Sequence, residues 1–315
     1  MKKEFTFTSC DRKTPIHVLM WTPEIPVRAI FQISHGMVEY IERYEEFAVF
    51  LSQRGYLVVG QDHLGHGASV LNEEEHGYFE KRHGNEIVIG DIHKLYHIMK
   101  KRFPDVPYFM LGHSMGSFLL RQYIQMYGKD LSGAIIMGTG SHNVATVIFG
   151  MILCKTLSLV KGDHFRSQTV NNMAFGSYNR RFQPARTSYD WLTKDITIVD
   201  KYAAHPWCTF TFTVNAYFHM FRGLLTLTSK KNRNQIPKDL PLFLVSGADD
   251  PVGNFGKSVK HVFHQYKKAK IQDVSMKLYP KDRHEILNEM DRDTVYQDIF
   301  EWLEHHMDTP LFPLS

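Results

Sequence analysis

The chain has 315 residues, 43% of them hydrophobic, and a formal charge of +4 with its 18 histidines neutral. That length fits one large domain with an insertion, or two domains, and the apolar share is enough for a substantial core. Lysines and arginines are scattered in short pairs such as Lys230-Lys231 and Lys267-Lys268 rather than gathered on a face set with aromatics, which argues against nucleic acid as a partner.

Met1-Lys-Lys runs into Glu4-Phe-Thr-Phe-Thr8, an alternating strand pattern and not a signal-peptide core. Residues 4–22 read as an antiparallel hairpin at a sheet edge, turning at Asp11-Arg-Lys13. Ala29–Ser34 is a buried-strand pattern ending in His35-Gly36-Met37, and a helix is expected over Tyr44–Arg54 with Gly55 as its stop. Tyr56–Gly60 is a second buried strand, leading into the loop Asp62-His-Leu-Gly-His-Gly67. A helix is expected over Glu86–Arg102.

Tyr108–Leu111 is a short apolar run after Pro107, and Phe118, Leu119, Tyr123 and Ile124 recur at helical spacing with Gly128 as a stop. Between them lies Gly112-His-Ser-Met-Gly116, a G-x-S-x-G in the strand-to-helix context that exposes a strained serine hydroxyl. Ser114 is therefore the candidate nucleophile. Leu131–Met137 is the next strand. From about Ser141 to Ile236 the strand–helix rhythm stops, and an apolar stretch, Val147–Val160, is followed by polar, aromatic sequence. The rhythm resumes with a strand at Leu240–Ser246, a helix over Gly256–Lys268, a strand at Val274–Tyr279 and a terminal helix over Asp293–His305. Alternation of this kind predicts a mostly parallel sheet covered by helices on both faces, with 1–140 and 237–315 as the core and 141–236 as a helical cap.

A serine nucleophile needs a base and an orienting carboxylate, supplied from loops at the C-terminal ends of strands. Asp249-Asp250 follows one downstream strand and His284 the last one, so the chain order is Ser, Asp, His. Position alone leaves Asp249 and Asp250 as alternatives. The amides of Met115, next to the nucleophile, and of Met37, in the His-Gly loop, are the candidate oxyanion donors. His63 and His66 lack the further ligands zinc requires, so no metal is expected, and His113 reads as a packed, hydrogen-bonded residue. Cys10, Cys154 and Cys208 lie too far apart for a disulfide framework or a zinc site, which favours a reducing, cytoplasmic setting. No apolar run reaches the roughly 20 residues of a membrane span, so no transmembrane segment is expected.

Five stretches, Ser34–Tyr44, Asp62–Gly67, Gly112–Gly116, Gly247–Val252 and Tyr279–Glu285, occur in the order of, and together resemble, the monoacylglycerol lipase and lysophospholipase branch of the α/β-hydrolases. The resemblance covers about residues 15–305 and implies an eight-stranded α/β-hydrolase fold with a helical cap and no cofactor. It implies Ser114 as nucleophile, His284 as base, Asp250 rather than Asp249 as the acid, and Met37 and Met115 as the oxyanion hole. Glu39 and Arg43 match a Glu and an Arg of the family's His-Gly loop, which implies either a pair at the polar end of the site, with Glu39 contacting substrate, or a plain structural salt bridge. Tyr40 departs from the family, which often has histidine there, and Pro184–Leu192 and Val199–Tyr202 resemble the cap of bacterial relatives.

The expected activity is hydrolysis of a small, partly apolar acyl ester, a monoacylglycerol or a lysophospholipid, with transient membrane-surface contact through the cap. Val147–Val160, including Phe149 and Leu153, is expected to line the entrance to the nucleophile. The Phe210–Phe221 run is a second candidate wall, and both stretches could instead be the cap's own core. Two rival readings are a peptidase of the proline iminopeptidase type, using Asp190, Asp195 and Asp200 to hold a substrate amine, and a slow-turnover ligand-binding receptor on the same fold.

Overall fold

A computed structural model describes residues 1–307. Eight strands form one sheet: β1 (Lys2–Thr8), β2 (Pro15–Trp21), β3 (Ala29–Ser34), β4 (Tyr56–Gln61), β5 (Tyr108–His113), β6 (Gly133–Met137), β7 (Leu242–Gly247) and β8 (Val274–Tyr279). Their order in the sheet is β1-β2-β4-β3-β5-β6-β7-β8. The first two strands form the expected hairpin, paired from Lys2↔Trp21 to Thr8↔Pro15, and β2 meets β4 antiparallel. All pairs from β4 to β8 are parallel. The strands expected from Leu131 and Leu240 begin two residues later, each after a segment that leads into the sheet.

The period of two along the central strands explains the layering. Ile30, Tyr108, Met110, Ala134, Ile136, Leu242 and Leu244 face one apolar cluster. Phe31, Ile33, Phe109, Leu111, Ile135, Met137, Phe243 and Val245 face the other. Each buried Val, Leu, Ile, Phe or Met among them contributes about 1.5–3 kcal/mol by leaving water. Helices α1 (Glu45–Ser52) and α10 (Arg292–His305) close the second face. Helices α2 (Gly84–Arg102), α3 (Met115–Tyr127) and α9 (Lys257–Lys268) close the first.

Between β6 and β7 lie α4 (Val144–Lys161), α5 (Gln168–Phe175), α6 (Ile196–Ala204), α7 (Val214–Leu227) and α8 (Lys230–Arg233). Their starts are capped by short polar side chains: Asn143 accepts from Ala145 N and Thr146 N, Asp195 from Thr197 N and Ile198 N, and Thr213 from Ala216 N. The insertion is not a separate body, because Cys154, Val170, Phe212, Val214, Ala216 and Tyr217 join the main core.

One helix, α4, bears on the expectation that the chain has no transmembrane segment. Its 18 residues have a mean hydropathy of 1.8, so by length and composition it is long and apolar enough to cross a membrane. In the fold it lies along α7, with Val147, Gly150 and Cys154 buried and the opposite side open.

Candidate active site

At the end of β5 the chain must turn into α3 within one residue, and Ser114 takes that position with φ 53° and ψ −118°. A non-glycine residue held there stores about 1–3 kcal/mol of strain. The neighbours over-determine it: Ser114 N donates to Met137 O at 3.0 Å, and Ser114 O accepts from Ser117 N at 2.9 Å. Two glycines make room for the turn. A Cβ at Gly116 would collide with the Ser34 carbonyl oxygen, and one at Gly36 would sit 3.1 Å from the Ser114 Cβ and press on the Glu39 carboxylate.

The β7 and β8 loops bring an imidazole and a carboxylate to the same place. His284 Nδ1 donates to Asp250 Oδ2 at 2.9 Å, and both side chains are buried. Asp250 is held by two further donors, Ser246 Oγ at 3.1 Å and Val252 N at 2.8 Å. The neighbouring Asp249 is only partly buried, and it is Asp250 that faces the ring. Ser114 and His284 line one cavity of ≈ 470 Å³, together with Met37 and Glu39. Among the described residues the N–H groups of Met37 and Met115 have no hydrogen-bond partner, which leaves two free donors beside the serine.

Behind this wall lies a buried charge network. Glu39 Oε1 accepts from Gly36 N, from Tyr44 Oη at 2.9 Å and from His113 Nδ1 at 3.2 Å. Arg43 spans two acids, reaching Glu39 Oε2 at 2.7 Å and gripping Glu285 through both terminal nitrogens at 2.8 and 2.6 Å. His113 Nε2 meets the His284 carbonyl at 3.3 Å. Burial resists ionisation of Glu39, but the His113 bond and the Arg43 charge override it and hold the carboxyl below its usual range. Burial likewise resists charge on His113, and the bond to Glu39 overrides it and raises the imidazole above its ordinary value. Glu285 is lowered against burial by Arg43. The network ties the Gly36–Met37 loop to the loop carrying His284.

The insertion helps to hold the imidazole. Trp191 packs on the His284 ring at 5.0 Å between centroids. His284 N donates to Trp191 O at 3.4 Å, and Glu285 N to Leu192 O at 2.7 Å. Neither Trp191 nor the role of Glu285 was read from the sequence; the signal was their place inside the stretches Pro184–Leu192 and Tyr279–Glu285.

Phe149 and Leu153 do not line the cavity, which corrects the expectation for α4. Packing of Gly150 against Phe221 turns Leu153, half-buried, onto the main core and leaves Phe149 58% exposed. The insertion's share of the wall comes instead from α5 and the following chain, including Phe175, Tyr189 and Phe210. The second candidate wall, the Phe210–Phe221 run, thus contributes only at its start, through Phe210 and Thr211.

Nor do Asp190, Asp195 and Asp200 converge on the cavity. Asp190 bonds Thr187 and Arg186 N, Asp195 caps α6, and Asp200 pairs with Arg186. The His63 and His35 rings meet tilted by 41° at 4.2 Å between centroids, with His63 N donating to His35 Nε2 at 2.9 Å, so this loop braces the strand ends. Asp282, Glu289 and Asp291 lie close together, but the ammonium of Lys194 sits among them, 2.6 Å from Asp282 and 3.8 Å from each of the other two.

A strained serine between a parallel strand and a helix, on an eight-stranded sheet of this order, defines the chain as an α/β-hydrolase. The family model described as "Serine aminopeptidase, S33" matches residues 25–291, and the chain belongs to that family. It is 25% identical over 293 residues to a monoacylglycerol lipase of Mycolicibacterium smegmatis, covering 91% of this chain and 92% of that one. It is 26% identical over 302 residues to human monoglyceride lipase, covering 92% and 86%. Among solved structures, a thermostable carboxyl esterase from Bacillus coagulans in complex with glycerol superposes with a TM-score of 0.90 at 28% identity, covering 97% of this chain and 99% of that one. A soluble variant of the Saccharomyces cerevisiae monoglyceride lipase, in complex with a substrate analog, has the same fold, with a TM-score of 0.77 at 21% identity and coverage of 98% and 96%.

Proposed function

We propose that this protein is a serine ester hydrolase cleaving a small, partly apolar carboxylic ester, a monoacylglycerol or lysophospholipid. The observation that carries the reading is the strained Ser114 sharing one cavity with an Asp250-bound His284. Asp250 keeps the proton on Nδ1, so Nε2 is free to take the Ser114 proton as Oγ attacks the ester carbonyl. The developing oxyanion is stabilised by the Met37 and Met115 amides. Collapse expels the alcohol, which takes the proton from His284, and water then releases the acid from Ser114 by the reverse sequence.

The cavity supports a substrate with two characters. Met37, Val38, Phe175 and Phe210 offer apolar wall, whereas Gln168, Asn171 and Asn172 put uncharged amides around a polar head. The wall carboxylates Glu39 and Glu285 are already engaged by Arg43, which disfavours their use as receptors for a substrate ammonium and hence the peptidase reading. The solvent side of α4 supports transient membrane contact, with Phe149 58%, Ile152 61% and Leu159 76% exposed. Three free cysteines are compatible with the proposed cytoplasmic setting.

Turnover of 1-monoacylglycerols, lysophosphatidylcholines, simple p-nitrophenyl esters and aminoacyl amides, measured side by side, tests the reading. Cleavage of the glycerol and lysophospholipid esters with rates rising with acyl length is expected. Faster cleavage of aminoacyl amides would replace it with the peptidase, and stoichiometric binding without turnover would replace it with the receptor.

A further inference from the structure

Arg121 lies on the nucleophile helix α3, two turns beyond Ser114, and is only 4% exposed. Its Nη1 donates to Thr139 Oγ1 at 3.1 Å and to Gly140 O at 2.7 Å, and its Nε to Tyr266 Oη at 3.2 Å. All three partners are neutral. Among the described residues no carboxylate comes within ion-pair distance of Arg121, and Nη2 meets no acceptor. A guanidinium so enclosed gains from an anion that supplies the counter-charge the protein withholds.

The surroundings supply no such charge. The guanidinium lines a cavity of ≈ 200 Å³ between α3, the start of α4, the end of α7 and α9. None of those four helices contains an aspartate or glutamate. Residues 201–238 and 251–272 are also free of both. A second arginine, Arg233 of α8, approaches from behind the rim, donating to Gln265 Oε1 at 3.2 Å, and among the described residues it forms no ion pair. Gln265 in turn meets His261 at 2.7 Å. One side of the cavity is therefore cationic and polar, and the other is apolar, built by Val144, Leu224 and Leu227.

We propose that this second cavity binds a short-chain monocarboxylate, its carboxylate on Arg121 and its alkyl body against Leu224, Leu227 and Val144. The planar guanidinium matches a carboxylate edge. At about 30 Å³ for a water-sized group, the cavity holds about six or seven of them, the size of an acid such as hexanoate. A doubly charged phosphate would satisfy Arg121 but be desolvated against the apolar side. The ligand would touch the sheet domain through α3 and α9 and the insertion through α4 and α7, bridging the two. This inference does not depend on the catalytic reading, since the ≈ 470 Å³ cavity at Ser114 shares no lining residue with it.

Calorimetric titration with hexanoate, hexylamine and inorganic phosphate tests the site on the full chain. The variants are Arg121→Gln, Thr228→Glu at the exposed rim, and Phe210→Ala in the wall of the other cavity. Hexanoate is expected to bind, with affinity falling at least about tenfold in Arg121→Gln and Thr228→Glu and holding in Phe210→Ala. Thr228→Glu keeps the test decisive should Arg121→Gln not fold. No hexanoate binding, binding indifferent to Thr228→Glu, or binding lost in Phe210→Ala would overturn the site. Phosphate or hexylamine binding as tightly as hexanoate would overturn the carboxylate assignment.

Discussion

Replacing Glu39 by glutamine keeps the shape of the side chain and removes the charge on which the buried network turns. Glu39 and Arg43 are 4% and 10% exposed, so screening by water is slight. Breaking a buried pair of this kind costs about 3–5 kcal/mol, and because Arg43 keeps its two-pronged grip on Glu285 the low end, about 3 kcal/mol, is expected. For a chain of this size that lowers the melting temperature by roughly 4–5 °C. A glutamine cannot accept from Gly36 N, Tyr44, His113 and Arg43 together, since one end of its amide is a donor. The Gly36–Met37 loop should then lose its fixed orientation, and kcat should fall about 10–100-fold, less than the loss on deleting an oxyanion donor outright. Glu285→Gln is the control: it removes the same charge from Arg43 but touches no group of that loop, so stability should fall comparably and kcat only a few-fold. Melting curves and kcat on a saturating soluble ester read both effects. A Glu39→Gln enzyme with wild-type kcat, or equal kcat losses in the two variants, would refute the positioning role and leave a purely structural ion pair.

Asp250→Asn should lower kcat by several orders of magnitude, because the amide favours the wrong His284 tautomer, while Asp249→Asn stays near wild type; steady-state kinetics of the two decide it. Phe210→Ala should flatten the rise of kcat/KM with acyl length, normally worth up to about 0.8 kcal/mol per methylene, whereas Phe149→Ser should spare soluble esters and reduce cleavage of long-chain substrate in vesicles. Burial raises the Asp91 carboxyl to about 6 from 3.8 despite its bonds from Cys10 N and Ser9 Oγ. The folded state therefore binds the extra proton between those values, and the stability this group contributes is present below 3.8 and lost as pH rises through about 6. The melting temperature of the wild type relative to Asp91→Asn should accordingly drop between about pH 4 and about pH 7.

The sheet and the nucleophile turn were legible because each is a local pattern. The period of two in β3, β5, β6 and β7 reads directly as two buried faces, and a strand, a glycine-flanked serine and a helix in sequence leave little choice for Ser114. The insertion was harder for a physical reason. Its polar caps Asn143, Ser167, Asp195 and Thr213 are ordinary helix starts, but the faces behind them are only partly buried, so no clean period marks them. In α4 apolar residues run all the way round, and composition alone could not tell the Val147–Gly150–Cys154 side, packed on α7, from the side carrying Phe149. The Glu39–Arg43–Glu285 clamp joins chain segments 242 residues apart, which no local spacing reveals.

The central claim is that Ser114 is a nucleophile activated by His284 and Asp250, and covalent labelling addresses it without assuming a substrate. Intact mass should show one fluorophosphonate adduct on the wild-type chain, mapped by peptide digestion to Ser114, with Ser114→Ala unlabelled at an unchanged melting temperature and His284→Ala labelled orders of magnitude more slowly. Labelling at another residue, or at an undiminished rate in His284→Ala, would contradict the account.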